Sequence, residues 1–79
     1  MNTSDKLLKI FIDLFNINKA IPFNDINPNK ISQWDSLNHL NLIISIENEF
    51  GISIDPEDFP ELYTNFEKIN NYLKIKLNG

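Results

Sequence analysis

Ser36 and His39 are the residues of this chain whose types and spacing most invite a chemical reading. A histidine three residues after a serine lies about 300° around a helix, so a hydroxyl and an imidazole would be near neighbours. His39 is the single histidine of the sequence. Acyl chemistry by such a pair also needs an oxyanion hole, and the two glycines, Gly51 and Gly79, are remote from Ser36 in sequence. His39 falls on the inward side of its helix, which suits a structural or cavity-lining imidazole better than a general base. With no cysteine there is no thiolate nucleophile and no disulfide. Asp55, Glu57 and Asp58 lack the spacing and the glycine of a calcium loop and fit helix-start acids instead. There is no glycine-rich phosphate loop. A chain without paired catalytic groups is expected not to be an enzyme. Two roles remain for Ser36. It, or Asp35, is a helix N-cap; or its hydroxyl is an attachment point, where free first-turn N–H groups and the positive end of the helix dipole would favour a phosphodiester.

The elements that must position Ser36 follow from periodicity. Leu7, Leu8, Ile10, Phe11, Leu14 and Phe15 recur at helical spacing, so a first helix is expected over about residues 4–16, capped by Thr3 or Ser4 with Asp5 in its first turn. Residues 17–34 carry Pro22, Pro28 and many Asn and Asp residues and predict a long loop. Ile21, Phe23, Ile26, Ile31 and Trp34 could pin it to a core, with Trp34 as a packing anchor. The second helix starts at Asp35 or Ser36 and runs to Phe50, stopped by Gly51.

On a helical projection that second helix divides into two stripes. His39, Leu42, Ile43, Ile46 and Phe50 form one, and Leu37, Leu40, Ile44 and Glu47 the other. Together they span roughly 220°, wider than one packing face needs. The second stripe is therefore expected to be exposed for a partner, with Glu47 in it because an unpaired carboxylate is costly to bury. Ile52-Ser53-Ile54 is an extended connector. Asp55-Pro56-Glu57-Asp58 begins a short helical segment near 56–62, with Asp55 as its cap. Thr64 and Glu67 make a capping-box pattern for a last helix whose face is Phe66, Ile69, Tyr72 and Leu73, continuing weakly to Leu77. The fold class is all-α: a small four-helix bundle, three main helices and one short one, in a single domain over residues 1–79.

Bulk properties narrow the function classes. Seventy-nine residues with 42% hydrophobic content make a small but real core. The net charge of −4 argues against nucleic-acid binding. From Ile31 to Glu67 no basic residue occurs, whereas Asp35, Glu47, Glu49, Asp55, Glu57, Asp58, Glu61 and Glu67 all fall there. Such a field favours basic partners. No apolar run is long enough to span a membrane, and the N-terminus has no basic-then-apolar signal region, so a cytoplasmic monomer is expected.

Trp-Asp-Ser-Leu-Asn-His-Leu-Asn-Leu-Ile around Ser36, continuing through Ile43-Ile44-Ser45-Ile46-Glu47-Asn48-Glu49-Phe50-Gly51-Ile52, resembles the modification site and following helix of acyl carrier proteins. The order of elements agrees with that family along essentially the whole chain, most closely over 31–54. The resemblance implies that Ser36 carries a 4′-phosphopantetheine arm, added from coenzyme A by a phosphopantetheinyl transferase, and that the arm holds an acyl group as a thioester. It implies as partners that transferase, an acyl-loading ligase or acyltransferase, and downstream acyl-processing enzymes. Asp35 matches the acid that assists transferase recognition. Leu37, Leu40, Asn41, Ile44 and Glu47 match the partner-docking face, and His39, Leu42, Ile43, Ile46 and Phe50 the inward face able to line an acyl cavity. Asn38, Asn41 and Asn48 stand where fatty-acid-synthesis carriers usually have acids, and Trp34 where they have a small residue. Trp-Asp-Ser-Leu is similar instead to stand-alone carriers of dedicated pathways: polyketide, modified fatty acid or surface polysaccharide. An aminoacyl or peptidyl carrier, D-alanyl for example, is the alternative within the same chemistry. An unmodified helical interaction domain is the alternative outside it.

Overall fold

The computed structural model describes residues 2–78. Four α-helices and two short 3₁₀ turns follow one another: α1 Thr3–Phe15, a 3₁₀ turn Phe23–Asp25, α2 Ser36–Phe50, a 3₁₀ turn Pro56–Asp58, α3 Phe59–Leu62 and α4 Phe66–Asn78. This is the all-helical small bundle that the periodicity predicts. α1 packs on both α2 and α4, and the Phe23–Asp25 turn closes against α4.

Each helix boundary has a side-chain or backbone cause. Asn2, not Thr3 or Ser4, caps α1: its Oδ1 accepts from Asp5 N at 2.8 Å. Ser4 Oγ is drawn instead into a mutual contact with the side-chain amide of buried Asn70, tying α1 to α4. α1 stops at Asn16, whose backbone is left-handed at φ 55°, a conformation Asn tolerates better than most residues. α2 stops at Gly51, at φ 64°, as its glycine signal predicts. α4 begins one residue later than the Thr64 capping box implies. Phe66 N donates to Ile26 O from the loop, Asn65 Oδ1 accepts from Lys68 N at 2.7 Å, and Thr64 Oγ1 turns back to Glu61 O. That long-range bond to Ile26 sets where the helix starts, and an Asn amide oxygen caps as well as a Thr hydroxyl.

The long loop holds its shape through its own Asn side chains. Asn18 Oδ1 accepts from Ala20 N; Asn27 Oδ1 accepts from Asn29 N and Lys30 N, while its Nδ2 donates to Asn24 O. Ile26, Ile31 and Trp34 plug this loop into the core. Phe23 pins it differently, stacking on Phe66 at 4.8 Å while remaining 50% exposed. The core centres on Phe11, whose ring meets Phe15, Trp34 and Phe66 at centroid distances of 5.6, 5.1 and 5.4 Å. Leu7, Leu42, Ile43, Ile46, Ile54, Leu62, Ile69 and Leu73 fill the remainder. Tyr72 is only partly buried and Leu77 is exposed, so the α4 core face ends at Leu73.

Candidate functional site

The loop delivers the chain to Ser36 through a series of local bonds. Trp34 N donates to Ile31 O and Asp35 N to Gln33 O. Asp35 is extended, and its Oδ1 accepts from Asn38 N at 2.8 Å, so Asp35 is the N-cap of α2. Ser36 is then the first helical residue, and it is exposed. Capping is done by its neighbour, which leaves the Ser36 hydroxyl outside that task. Of the first-turn N–H groups, that of Asn38 is taken by the cap, while those of Ser36 and Leu37 have no acceptor within the helix.

Behind Ser36 the two stripes separate as the projection predicts. His39, Leu42, Ile43 and Ile46 are buried, whereas Leu37, Leu40 and Ile44 are 69%, 46% and 54% exposed. Asn41 is exposed beside them, its Nδ2 donating to Asn38 Oδ1. Asn38 Nδ2 also donates to Gln33 O at 2.7 Å, a bond that an aspartate at this position could not make. Phe50 is half-buried, packed at the edge of the core beneath Lys6.

Glu47 has a fold-internal partner that the stripe pattern does not reveal. Its Oε2 accepts from Ile54 N at 2.8 Å, and its backbone carbonyl receives Gly51 N and Ile52 N. The residue fastens the chain reversal at Gly51 and holds the connector that buries Ile54. One carboxylate oxygen is therefore engaged within the molecule, which resolves the cost of placing it among apolar residues.

His39 sits at the centre of a polar cluster within the core. Trp34 Nε1–H donates to His39 Nδ1 at 3.0 Å, and His39 Nε2 lies 2.8 Å from Phe59 O. A carbonyl only accepts, so Nε2 carries the proton and the ring is neutral. Both nitrogens are committed, and neither serves Ser36. Burial holds the imidazole below its ordinary pKa, with the Phe59 bond pulling partly the other way. The unfolded chain therefore binds more protons than the folded one just below the ordinary value of 6.5, and stability falls as pH drops through that range. Unfolding free energy from urea titrations is expected to decline as pH falls below about 6.5, by at most about 1.4 kcal/mol per pH unit from this group. In His39→Gln that part of the slope should vanish; an unchanged slope would mean His39 is not responsible.

The acids of the third segment lie on the α4 side. Tyr72 Oη donates to Asp58 Oδ2 at 3.1 Å. Burial first, then that bond and the charges of Asp58, Asp55 and Glu61, push Tyr72 up to about 12. Lys68 bridges to Glu61 at 3.5 Å on the surface. Among the described residues no group of three His, Asp or Glu is placed to hold a metal, and no helix is long and apolar enough to cross a membrane. Surface depressions lie between α1 and α2 around Ile10, Asp13 and Ser45, between the loop and the start of α4 around Asn27 and Asn65, and beside α4 around Tyr72 and Ile75. The chain matches no family model, and no solved structure matches it.

Proposed function

We propose that this protein is a thioester carrier whose Ser36 bears a 4′-phosphopantetheine arm. The observation that carries the reading is the division of labour at the head of α2: Asp35 caps the helix, and the exposed Ser36 hydroxyl beside it is left free. Two further features support it. The Asp-Ser-Leu context resembles the carrier family's modification site, and an exposed apolar stripe begins at the very next residue, Leu37. The chain fits the group chemically. Ser36 supplies the hydroxyl that loses its proton and forms the phosphodiester, displacing the nucleotide half of coenzyme A. The unpaired N–H groups of Ser36 and Leu37 suit the resulting anion. When bound, the arm supplies the thiol that this cysteine-free chain lacks.

In this reading the protein performs no reaction itself. A transferase adds the arm, a loading ligase or acyltransferase charges it, and downstream enzymes of a dedicated pathway consume the cargo. Leu37, Leu40, Asn41 and Ile44 form the docking surface, with Asp35 guiding the transferase and Glu47 securing the far end of the helix. Intact mass after incubation with coenzyme A and a promiscuous phosphopantetheinyl transferase tests this. The expected result is the gain of one phosphopantetheine, abolished by Ser36→Ala with the fold intact by circular dichroism. No gain with any such transferase would sink the proposal and leave an unmodified helical interaction domain.

A further inference from the structure

Resting on the reading of Ser36 as the arm-bearing residue, we infer that the cargo is carried outside the helical bundle, and that it is a short or polar acyl group, aminoacyl groups included. The argument lies in what fills the space between the head of α2 and α3. Three rings close on one another in a triangle there: Trp34 stacks on His39 at 6.0 Å and 29°, His39 stacks on Tyr63 at 4.9 Å and 26°, and Tyr63 meets Trp34 at 6.1 Å and 46°.

Each ring is also hydrogen-bonded across the seam. Trp34 Nε1–H meets His39 Nδ1, His39 Nε2–H meets Phe59 O, and Tyr63 Oη–H meets Trp34 O at 3.1 Å. Trp34 is anchored from behind by Phe11 and Phe15. Trp34 lies two residues before Ser36 and His39 three after it, in the first turn of α2, so the cluster packs against the same helix end that carries the attachment point. Among the described residues, no buried side-chain nitrogen or oxygen lacks a partner.

An aliphatic chain entering here would have to part the rings. A seam of leucines yields at the cost of packing alone. This one would also strand an indole N–H, an imidazole and a carbonyl in an apolar interior. The next layer offers no ready alternative, since Leu42, Ile43, Ile46 and Leu62 are all 0–1% exposed and packed together. A long alkyl cargo would be left in water or on the Leu37–Leu40–Ile44 stripe. A short or polar cargo has no such difficulty.

The test loads the protein with acetyl-, hexanoyl- and decanoyl-phosphopantetheine from the corresponding acyl-coenzyme A, using one promiscuous transferase. Failure to load any of them overturns the carrier reading itself. If all load, two readouts decide the present inference. The Trp34 indole N–H resonance should keep its position for every chain, and hydroxylamine should cleave all three thioesters at the same rate. A displaced indole signal, or protection growing about fourfold with each buried methylene, would overturn it. In His39→Ala, which removes one of the three rings and two of the three bonds, decanoyl protection should appear; its absence there would mean that the ring cluster is not what keeps the chain out.

Discussion

Trp34→Ala is expected to cost about 3–5 kcal/mol of folding stability, by loss of buried aromatic surface and the cavity left behind. A domain of this length has roughly 4–12 kcal/mol in all, so the change should remove at least about a quarter of it and, at the lower end of that range, all of it. The reason is the number of elements that converge on this one side chain. Its ring packs on Phe11 and Phe15 of α1 and against Tyr63 just after α3, and its indole N–H holds His39 of α2. Trp34→Phe separates packing from polarity: it keeps a ring but orphans His39 Nδ1, at about 1–3 kcal/mol for the unsatisfied group. Combining Trp34→Phe with His39→Leu should therefore cost less than the two changes summed, because the second removes the orphan created by the first. Urea unfolding followed by far-ultraviolet circular dichroism checks all four proteins. A fully additive double variant, or a Trp34→Ala protein as stable as the native one, would contradict the central position given to Trp34.

The parts of this fold legible in the sequence are those governed by one helix at a time. The two stripes of α2 follow from the angular step between residues, and the stop at Gly51 from glycine's access to left-handed backbone. Burial of Ile26, Ile31 and Trp34 was legible because a long loop with regularly placed large apolar residues must put them somewhere. The parts that escaped depend on contacts between elements. Asn65 displaces Thr64 as a cap because Ile26 O, far away in sequence, captures Phe66 N. Asn2 likewise displaces Ser4, which Asn70 of α4 has recruited. Glu47 looked like a solvent-facing acid because its partner is a backbone N–H seven residues on, reached only once the chain turns at Gly51. The same limit applies at the site. Trp34 and His39 each carried a signal of burial, but the bond between them exists because Asp35 is extended as the cap, bringing the indole back over the first turn of the helix.

The apolar stripe offers the sharpest contrast, because adjacent residues of α2 should respond oppositely to the same change. Ile43 is 1% exposed and Ile44 54%. Ile43→Asp removes a core side chain, worth about 2–5 kcal/mol as a truncation alone, and adds a carboxylate with no partner in an apolar interior. No cooperative unfolding transition is expected from it. Ile44→Asp and Leu40→Asp place the same group in water and should change stability by no more than about 0.5 kcal/mol. Their effect should fall on recognition instead. A truncated or charged anchor at the middle of a docking surface typically costs more than about 1.4 kcal/mol, so transferase kcat/KM should drop at least tenfold while the Ser36 hydroxyl stays in place. The charge adds to the loss, because a partner surface that accepts an apolar side chain at this spot would have to desolvate an unpaired carboxylate. Unfolding of Leu40→Asp or Ile44→Asp would mean that the stripe belongs to the core. Native stability with undiminished transfer would mean that the enzyme docks elsewhere, and that the exposed leucines and isoleucine of α2 serve a later partner or none.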